Sequence, residues 1–172
     1  MAYTYSKIAT YTVGSGGVAS IDFTNIPQTY TDLVLKCSLR TVNNLSARGT
    51  NINLSINGVT TNRTFRSLEG NGASAFSSNG TGAYVGTFGG GTSVTADTFS
   101  NTEIYLPNYA SSNNKSLSTD SVMENNGTTG SADLVAVLWS QTSAITSLSI
   151  SSGSGNLAQH STAHLYGIKA EL

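Results

Sequence analysis

Alternating apolar and polar residues mark the stretch from residue 21 to residue 41, where two runs flank a turn at Pro27. In the second run the apolar side chains occupy every other position: Leu33, Leu35, Cys37 and Leu39. A period of two is typical of a β-strand with one face in a core and the other face open. The first run, which ends near Phe23, is weaker and cannot continue through Pro27, because proline lacks the N–H that a strand ladder needs. We therefore predict two successive strands.

Further runs with the composition of strands follow one another along the chain. They cover residues 8–13, 51–56, 59–68, 98–106, 115–124, 133–139, 145–150 and 162–169. Helical periodicity is almost absent, so turns rather than crossover helices are expected between the strands. The run at 133–139, DLVAVLW, is nearly continuous in apolar residues. This pattern predicts a strand covered on both faces, although the same residue types would also suit a short helix.

Two turn motifs predict hairpins. The dipeptide Asn57-Gly58 is the strongest short signal for a two-residue hairpin turn, so we expect the runs on its two sides to be antiparallel neighbours. The segment 14–17, Gly-Ser-Gly-Gly, likewise predicts a hairpin-like connection, because glycine readily adopts a positive φ.

The length and composition favour a single all-β domain. A chain of 172 residues fits one domain of ordinary size. Only 10% of the residues are charged and small polar residues abound, which raises the alternative of disorder; however, Val, Ile, Thr and Tyr are interspersed throughout and favour strands. We predict a jelly-roll-like antiparallel β-sandwich of roughly eight to ten strands over residues 1–172. The seven-strand immunoglobulin arrangement would lack its cysteine pair.

Two segments are predicted to lie apart from the sandwich. Residues 70–92 are too rich in glycine for a firm strand, except at residues 83–88, and predict a long excursion. Residues 1–6 are predicted as an N-terminal arm that adds a strand to a neighbouring subunit, since chain termini are free until tied down and exposed sheet edges accept extended segments.

The charge balance argues against nucleic acid and membrane as partners. A net charge of -1 and a pI near 6.0 leave no cluster of Lys and Arg for phosphate contacts; Arg63 and Arg66 form only a local pair. No apolar run is long enough for a transmembrane helix, and the N-terminus lacks the pattern of a secretion signal, which predicts folding in a cytoplasm. Cys37 lies in phase with apolar neighbours and is predicted to be buried.

No set of residues points firmly to catalysis, a metal or a cofactor. His160 and His164 are four residues apart, and on an extended strand they would lie about 13 Å from each other, too far to share an ion. The acidic residues are scattered, so a glycosidase pair that includes Glu103 or Asp120 has no specific support. We predict no catalytic residues, no metal and no cofactor.

Tyrosines are the candidate contact residues. Tyrosine joins a large apolar face to a polar tip and forms sugar-stacking or protein-contact surfaces; ordinary packing on strands is the alternative. The residues singled out are Tyr3, Tyr5, Tyr84 and Tyr109, together with Ala2 of the predicted arm.

Two segments carry a resemblance to a known group of proteins. The pattern YSKIATYTVGSGGVASIDFTNIPQTYTDLVLKCSLRT at residues 5–41 and the closing AHLYGIKAEL at residues 163–172 resemble small structural proteins of tailed bacteriophages. Members of this group are capsid decoration or cement proteins, tail-fibre proteins and other virion components. The resemblance implies a jelly-roll-like sandwich, commonly assembled as a trimer, with no catalytic residues.

The resemblance implies a virion protein whose partners are copies of itself and the major capsid protein. Capsid decoration is the first expectation, since a cement protein that binds several coat subunits at once gains avidity from many weak contacts. A tail-fibre or receptor-binding module that recognises a host surface glycan is the alternative. A third interpretation is enzymatic glycan hydrolysis in the virion, which would depend on an acid such as Glu103 or Asp120.

Overall fold

The computed structural model describes residues 3–43, 49–90, 94–124 and 130–170 of the chain. Within these residues all the regular elements are β-strands: twelve strands are present and no α-helix is. They are β1 (Tyr3–Thr12), β2 (Ser20–Phe23), β3 (Asp32–Leu39), β4 (Thr50–Ile56), β5 (Arg63–Gly70), β6 (Ala75–Thr81), β7 (Tyr84–Phe88), β8 (Ser100–Leu106), β9 (Lys115–Met123), β10 (Ser131–Trp139), β11 (Leu148–Ser152) and β12 (Thr162–Ala170). The prediction of an all-β fold is confirmed.

The strands form two antiparallel sheets that pack as a sandwich. The larger sheet has eight strands in the order β1-β12-β3-β8-β9-β10-β5-β6, and the smaller sheet has four in the order β2-β11-β4-β7. Inward-facing residues of both sheets join one buried apolar cluster, which includes Leu35 of β3, Leu54 of β4 and Ile150 of β11. This strand order is compatible with the predicted jelly-roll-like arrangement.

Alternation along β3 and β9 explains how these strands contribute to the core. In β3, residues 33, 35, 37 and 39 are buried between the sheets, as the period of two predicts. In β9 every second residue from Lys115 to Met123 is buried and every residue between them is exposed. Side chains alternate between the two faces of a strand, so one face of β9 packs in the sandwich and the other is open.

Strand β10 differs from its prediction. The run DLVAVLW was expected to be covered on both faces, but its residues alternate regularly between buried and exposed. Val135, Val137 and Trp139 point into the sandwich, whereas Leu134 is 57% exposed and Leu138 is 42% exposed. The prediction fails because β10 lies in a sheet with only one packed side, and its outward positions are apolar all the same.

The Asn57-Gly58 turn forms, but the hairpin predicted around it does not. Both residues have positive φ, 51° and 76°, and the backbone N–H groups of Ile56 and Val59 each donate to the other residue's carbonyl at 3.0 Å. The chain then crosses to the other sheet: β4 pairs with β11 and β7, whereas β5 pairs with β10 and β6. The two residues of the turn are enough to form it, but which strands pair with each other depends on contacts across the whole sheet.

The connection at residues 14–17 also joins the two sheets instead of forming a hairpin. Strand β1 before it pairs with β12, and strand β2 after it pairs with β11. The prediction of a hairpin-like link at this position is therefore wrong for the same reason.

The described part of the glycine-rich segment 70–92 belongs to the sandwich and is not an excursion from it. Strand β6 pairs with β5 along its whole length and forms an edge of the larger sheet. Strand β7 pairs with β4 and forms an edge of the smaller sheet. These two strands raise the count above the predicted eight to ten. The side chains of β6 are almost all exposed, so no alternation of apolar residues marked it.

Residues 3–6 of the predicted N-terminal arm extend β1 along the chain's own sheet. Their backbone pairs with β12 from Tyr3 opposite Ala170 to Ser6 opposite Gly167. In the described part of the chain β1 is the other edge of the eight-stranded sheet, and an edge strand is a position at which a further strand can add.

The unequal size of the two sheets leaves part of the larger sheet uncovered. β7, the edge of the smaller sheet, contacts β9 and β10 across the sandwich. β5 and β6 lie beyond these strands in the larger sheet and project past the edge formed by β7. The overhang creates a groove along the side of the sandwich.

Candidate interaction surfaces

The outward side of β9, β10 and β5 carries an apolar surface that we call the leucine face. Its members are exposed in the folded chain: Leu68, Val122, Ala132, Leu134, Ala136 and Leu138. The register places Leu134 directly between Leu68 of β5 and Asp120 of β9, and Ala132 between Gly70 and Val122. Contiguous exposed apolar surface on a folded domain marks an interaction site more often than an isolated exposed leucine does.

Charged residues of both signs border the leucine face. Asp120 of β9 pairs with Leu134, and Arg66 of β5 pairs with Ala136, so the two charges stand on opposite sides of β10. A shallow depression of about 470 Å³ runs between Leu68, Val122 and Leu134. The surface therefore offers an apolar centre with a charged rim, which is the usual composition of a protein–protein interface.

The other half of the same outward side carries tyrosines and charges instead. Tyr5 is 53% exposed and meets Tyr166 edge-on, with 6.3 Å between the ring centroids. Lys36 forms an ion pair of 2.8 Å with Glu103, and the hydrogen bond from Lys36 to Glu103 raises the pKa of this lysine. Tyr5 thus lies on an open surface, as a contact residue must.

The predicted contact residue Tyr109 is buried, which corrects its proposed role. Its side chain is fully enclosed, and its hydroxyl donates a hydrogen bond to the backbone carbonyl of Pro27. Burial raises the pKa of the Tyr109 phenol. The residue follows the turn at Asn108, which has a φ of 49° and directs the chain inward. Tyr109 therefore fastens a loop to the core and cannot reach a partner.

Of the two N-terminal candidates, Ala2 lies outside the described residues. Tyr3 is described by its backbone, which begins β1 and pairs with Ala170. Both stay predictions as contact residues.

Tyr84 lies in the groove beneath the overhang of β5 and β6, which we call the side groove. The groove has a volume of about 480 Å³. It is lined by Gly49, Asn51, Phe65, Ser67, Glu69, Ser78, Thr81, Tyr84 and Thr87. Tyr84 packs against Phe65 with 4.8 Å between the ring centroids and an angle of 51° between the ring planes. Tyr84 is half-buried, so part of its ring faces the groove.

Of the candidate acids and histidines, the structure brings two acids together. Glu103 and Asp120 are direct partners across β8 and β9 on the outward side of the sheet, and Asp120 also lines the depression on the leucine face. His164 exchanges a hydrogen bond of 3.0 Å with Thr10 on the neighbouring strand, and His160 lies in the turn before β12 with a φ of 70°. Within the described residues no three His, Cys, Asp or Glu side chains lie close enough to share a metal ion.

Cys37 is buried, as its phase in β3 predicts. Its environment raises the pKa of the thiol to about 12, because burial disfavours the thiolate. A thiol that stays protonated and enclosed at neutral pH does not act as a nucleophile.

Two buried cations were not foreseen from the sequence. Arg63 points inward from β5, donates to the carbonyl oxygens of Leu54 and Thr60, and has a pKa lowered to about 10 by burial. Lys115 donates from Nζ to the carbonyl of Ser143 at 2.6 Å and to that of Ser111 at 2.7 Å. Backbone carbonyls thus stabilise both charges, and no motif in the sequence signals such an arrangement.

Comparison of the chain with protein-family models, with curated proteins and with solved structures finds no match. Within the described ranges no helix has the length and apolarity needed to cross a bilayer.

Proposed function

We propose that this chain is a non-enzymatic structural protein of a tailed-phage virion, most simply a capsid decoration protein that binds the coat through its leucine face. The observation that carries the proposal is the exposed apolar surface around Leu134 on a rigid eight-stranded sheet. Exposed leucines add little to the stability of the fold. Covering them with a partner removes their apolar surface from water, which favours binding. The resemblance of residues 5–41 and 163–172 to virion proteins supports the identity of that partner as the major capsid protein.

The shape and charge of the sheet suit close packing in a shell. Leu134 and Leu138 are held by strand pairing on both sides of β10, so they need little ordering when a partner binds. A single small apolar surface gives weak binding, and a homotrimer would multiply it into firm attachment through avidity. Light scattering from the purified protein is expected to show the mass of a homotrimer.

The test of this proposal is the occupancy of particles by variants of the leucine face. Leu134→Lys places a charge at the centre of the surface without touching the core, and we expect strongly reduced occupancy of purified capsids. Ser149→Lys is the matched control, because residue 149 lies outward on β11 of the smaller sheet. Full occupancy by the Leu134→Lys variant, or absence of the wild-type chain from intact particles, would contradict the proposal.

The edge strand β1 offers a second contact to the same assembly. Tyr5 is exposed on the edge strand β1, where a neighbouring subunit can add a strand or pack on the ring. Tyr5→Ala tests the side chain without removing the backbone pairing of residues 3–6 with β12. We expect occupancy to fall less than for Leu134→Lys, because the apolar surface around Tyr5 is smaller. Unchanged occupancy would exclude Tyr5 as a contact.

Recognition of a host glycan by a tail fibre is the second candidate function, and the side groove beside Tyr84 favours it. Copy number separates the two functions, since a decoration protein covers the shell in hundreds of copies and a fibre does not. Gel densitometry of purified particles measures this number directly. Turnover of host polysaccharide that is lost in Glu103→Gln or Asp120→Asn would instead support the enzymatic interpretation.

A further inference from the structure

The hairpin between β5 and β6 is closed by the turn Asn71-Gly72-Ala73-Ser74. The backbone N–H of Asn71 donates to the carbonyl of Ser74 at 3.1 Å, and Gly72 has a φ of 83°. The side chain of Asn71 folds back over the turn, where its Oδ1 accepts from the backbone N–H groups of Ala73 at 3.0 Å and Ser74 at 2.7 Å. The turn therefore holds the side-chain amide of an asparagine over its own backbone, with a glycine next in sequence.

An asparagine followed by glycine can undergo an intramolecular reaction. The backbone nitrogen of the glycine loses its proton and attacks the side-chain carbonyl carbon, Cγ. The Cγ–Nδ2 bond breaks, solvent returns the proton to the leaving group, and ammonia departs from a five-membered succinimide. Water then opens the ring at either carbonyl, which yields aspartate or isoaspartate. Glycine favours the attack, because it has no side chain to crowd the nitrogen.

Two features of the turn promote this attack at Asn71. Negative charge develops on Oδ1 as the nitrogen adds to Cγ, and the N–H groups of Ala73 and Ser74 already point at this oxygen. Donors fixed in advance at a developing oxyanion lower the barrier to its formation. The amide of Gly72 donates to no group in the described part of the chain, so no hydrogen bond has to break before it loses its proton.

The Asn57-Gly58 turn has the same two residues but a different side-chain environment. The amide of Gly58 likewise donates to no group among the described residues. However, Nδ2 of Asn57 donates to the carbonyl of Ala144 at 2.8 Å. Its Oδ1 accepts from the backbone N–H groups of Thr146 at 2.8 Å and Ser147 at 3.1 Å. These bonds fasten Cγ to another segment of the chain and hold the leaving group, so we expect slower reaction at Asn57.

The Asn79-Gly80 pair is protected by strand pairing instead. It lies in β6, where the side chain of Asn79 is exposed. In an antiparallel ladder every second residue pair exchanges hydrogen bonds. The amide of Gly82 donates to the carbonyl of Arg63, so two residues along the ladder the pair of Gly80 and Phe65 is also hydrogen-bonded. The amide of Gly80 therefore donates to β5 and is not open for attack.

From these contrasts we infer that Asn71 is a site of spontaneous deamidation and reacts fastest of the three Asn-Gly pairs in the described part of the chain. A fourth pair, at residues 126–127, lies outside the described residues. Deamidation adds one negative charge to a chain whose formal net charge is -1. The new charge would lie near the depression on the leucine face, which Gly70 and Ala75 border. The inference rests on the hairpin alone and does not depend on the proposed function.

Site-resolved mass spectrometry tests the inference. The full chain is incubated folded at mildly alkaline pH and digested in acid, where the reaction is slow; fragment spectra then assign each modified residue. We expect aspartate and isoaspartate at residue 71, formed at least about tenfold faster than at residues 57 and 79. In guanidinium chloride the three sites are expected to react at similar rates, because each is followed by glycine. A rate at residue 71 in the folded chain that does not exceed those at residues 57 and 79 would overturn the inference.

Paired variants test the part played by the turn. Gly72→Ala places a methyl group beside the attacking nitrogen, and Gly58→Ala makes the same change at a similar φ of 76°. A Cβ would meet nothing within 4 Å at either position. We expect Gly72→Ala to slow the reaction at residue 71 at least about tenfold and Gly58→Ala to leave it unchanged. Equal rates at residue 71 in these two variants would contradict attack by Gly72. If Gly72→Ala does not fold, the comparison of the three sites in the wild type decides alone.

Discussion

Strands β3 and β10 belong to the same sheet, yet the outward-facing residues of the two strands have opposite surroundings. On β3, outward-facing Val34 is 1% exposed. On β10, outward-facing Leu134 is 57% exposed. Both strands send their other face into the same core, where Leu35 and Val135 are fully enclosed. The difference between the strands therefore lies entirely on the outer side of the sheet.

The neighbouring strands explain this difference. Val34 is paired with Tyr105 on one side and Tyr166 on the other, and these large side chains share its face of the sheet. Leu134 is paired with Leu68 and Asp120, which are smaller and leave it uncovered. Directly paired residues stand close enough to cover one another, so the strand order decides the exposure of an outward residue.

The comparison separates apolar residues that stabilise the fold from apolar residues that remain available to a partner. An outward residue covered by tyrosines contributes to stability in the isolated chain. The leucine face contributes little until something binds it. Paired substitutions of one buried and one exposed residue measure this separation.

The largest expected effect is on the inward face of β3. Leu35→Ala removes a fully buried side chain and is expected to lower the free energy of unfolding by about 3 kcal/mol, because it loses apolar burial and leaves a cavity. Leu134→Ala on β10 is expected to change it by less than about 0.5 kcal/mol. Urea denaturation of both variants checks the pair. Similar losses in the two variants would show that Leu134 is covered in solution.

Two lysines allow the same comparison of a buried and an exposed position for charged side chains. Lys115 of β9 is paired with Trp139, the last residue of β10, on the inward face of the sheet. The Nζ atom of Lys115 lies 5.5 Å from the ring centroid of this tryptophan. Lys115→Met keeps the apolar stem but leaves the carbonyls of Ser111 and Ser143 without their donor, so we expect a loss of about 2 kcal/mol. Lys36→Met, on the outward face of β3, removes an exposed ion pair and is expected to cost less than about 1 kcal/mol. Equal unfolding midpoints for the two variants in urea would refute this difference.

The valines test the role of the covering tyrosines most directly. Val34 and Val122 both point outward from the larger sheet, but Val34 is enclosed and Val122 is 40% exposed. Val34→Ala is expected to lower the free energy of unfolding by about 1.5 kcal/mol, and Val122→Ala by less than about 0.5 kcal/mol. Thermal and urea unfolding measure both values. A small effect of Val34→Ala would mean that the tyrosines do not form a closed cover over β3.

Strands with strict alternation could be predicted from the sequence, because their pattern follows from one packed face. The buried positions of β3 and the extent of β8, β9 and β12 agree with the predicted runs to within two residues. Edge strand β6 could not be predicted, since its side chains are nearly all exposed and its stability comes from backbone pairing with β5. The partners of β4 and β5 also depend on contacts far along the chain, and the Asn57-Gly58 turn carries no information on them.

The candidate surfaces were harder to predict than the strands. In DLVAVLW both alternating sets of residues are apolar, so the sequence does not show which set is exposed. Tyr84 and Tyr109 were both predicted as contact residues, but Tyr84 is half-buried beside the side groove and Tyr109 is enclosed, because residue type does not distinguish an open position from a buried one. Ser67 and Asn51 carry no signal in a chain rich in serine and asparagine, and only the overhang of the larger sheet brings them together.

The smallest expected effect concerns Cys37 on the inward face of β3, because burial of its thiol makes the stability of the chain depend on pH. Its pKa is about 12 in the folded chain, against 9.0 as the ordinary value, so the unfolded chain loses the thiol proton first as the pH rises. Stability therefore falls from about pH 9 upward, by at most about 1.4 kcal/mol per pH unit from this group. Between pH 8 and pH 10 we expect the wild type to lose about 1 kcal/mol more in urea unfolding than Cys37→Ala, which lacks the thiol. Tyrosine ionisation is common to both proteins and cancels in the difference. Equal pH dependence in the two proteins would mean that water reaches this face of β3, and the contrast with the open face of β10 would then be weaker than the structure indicates.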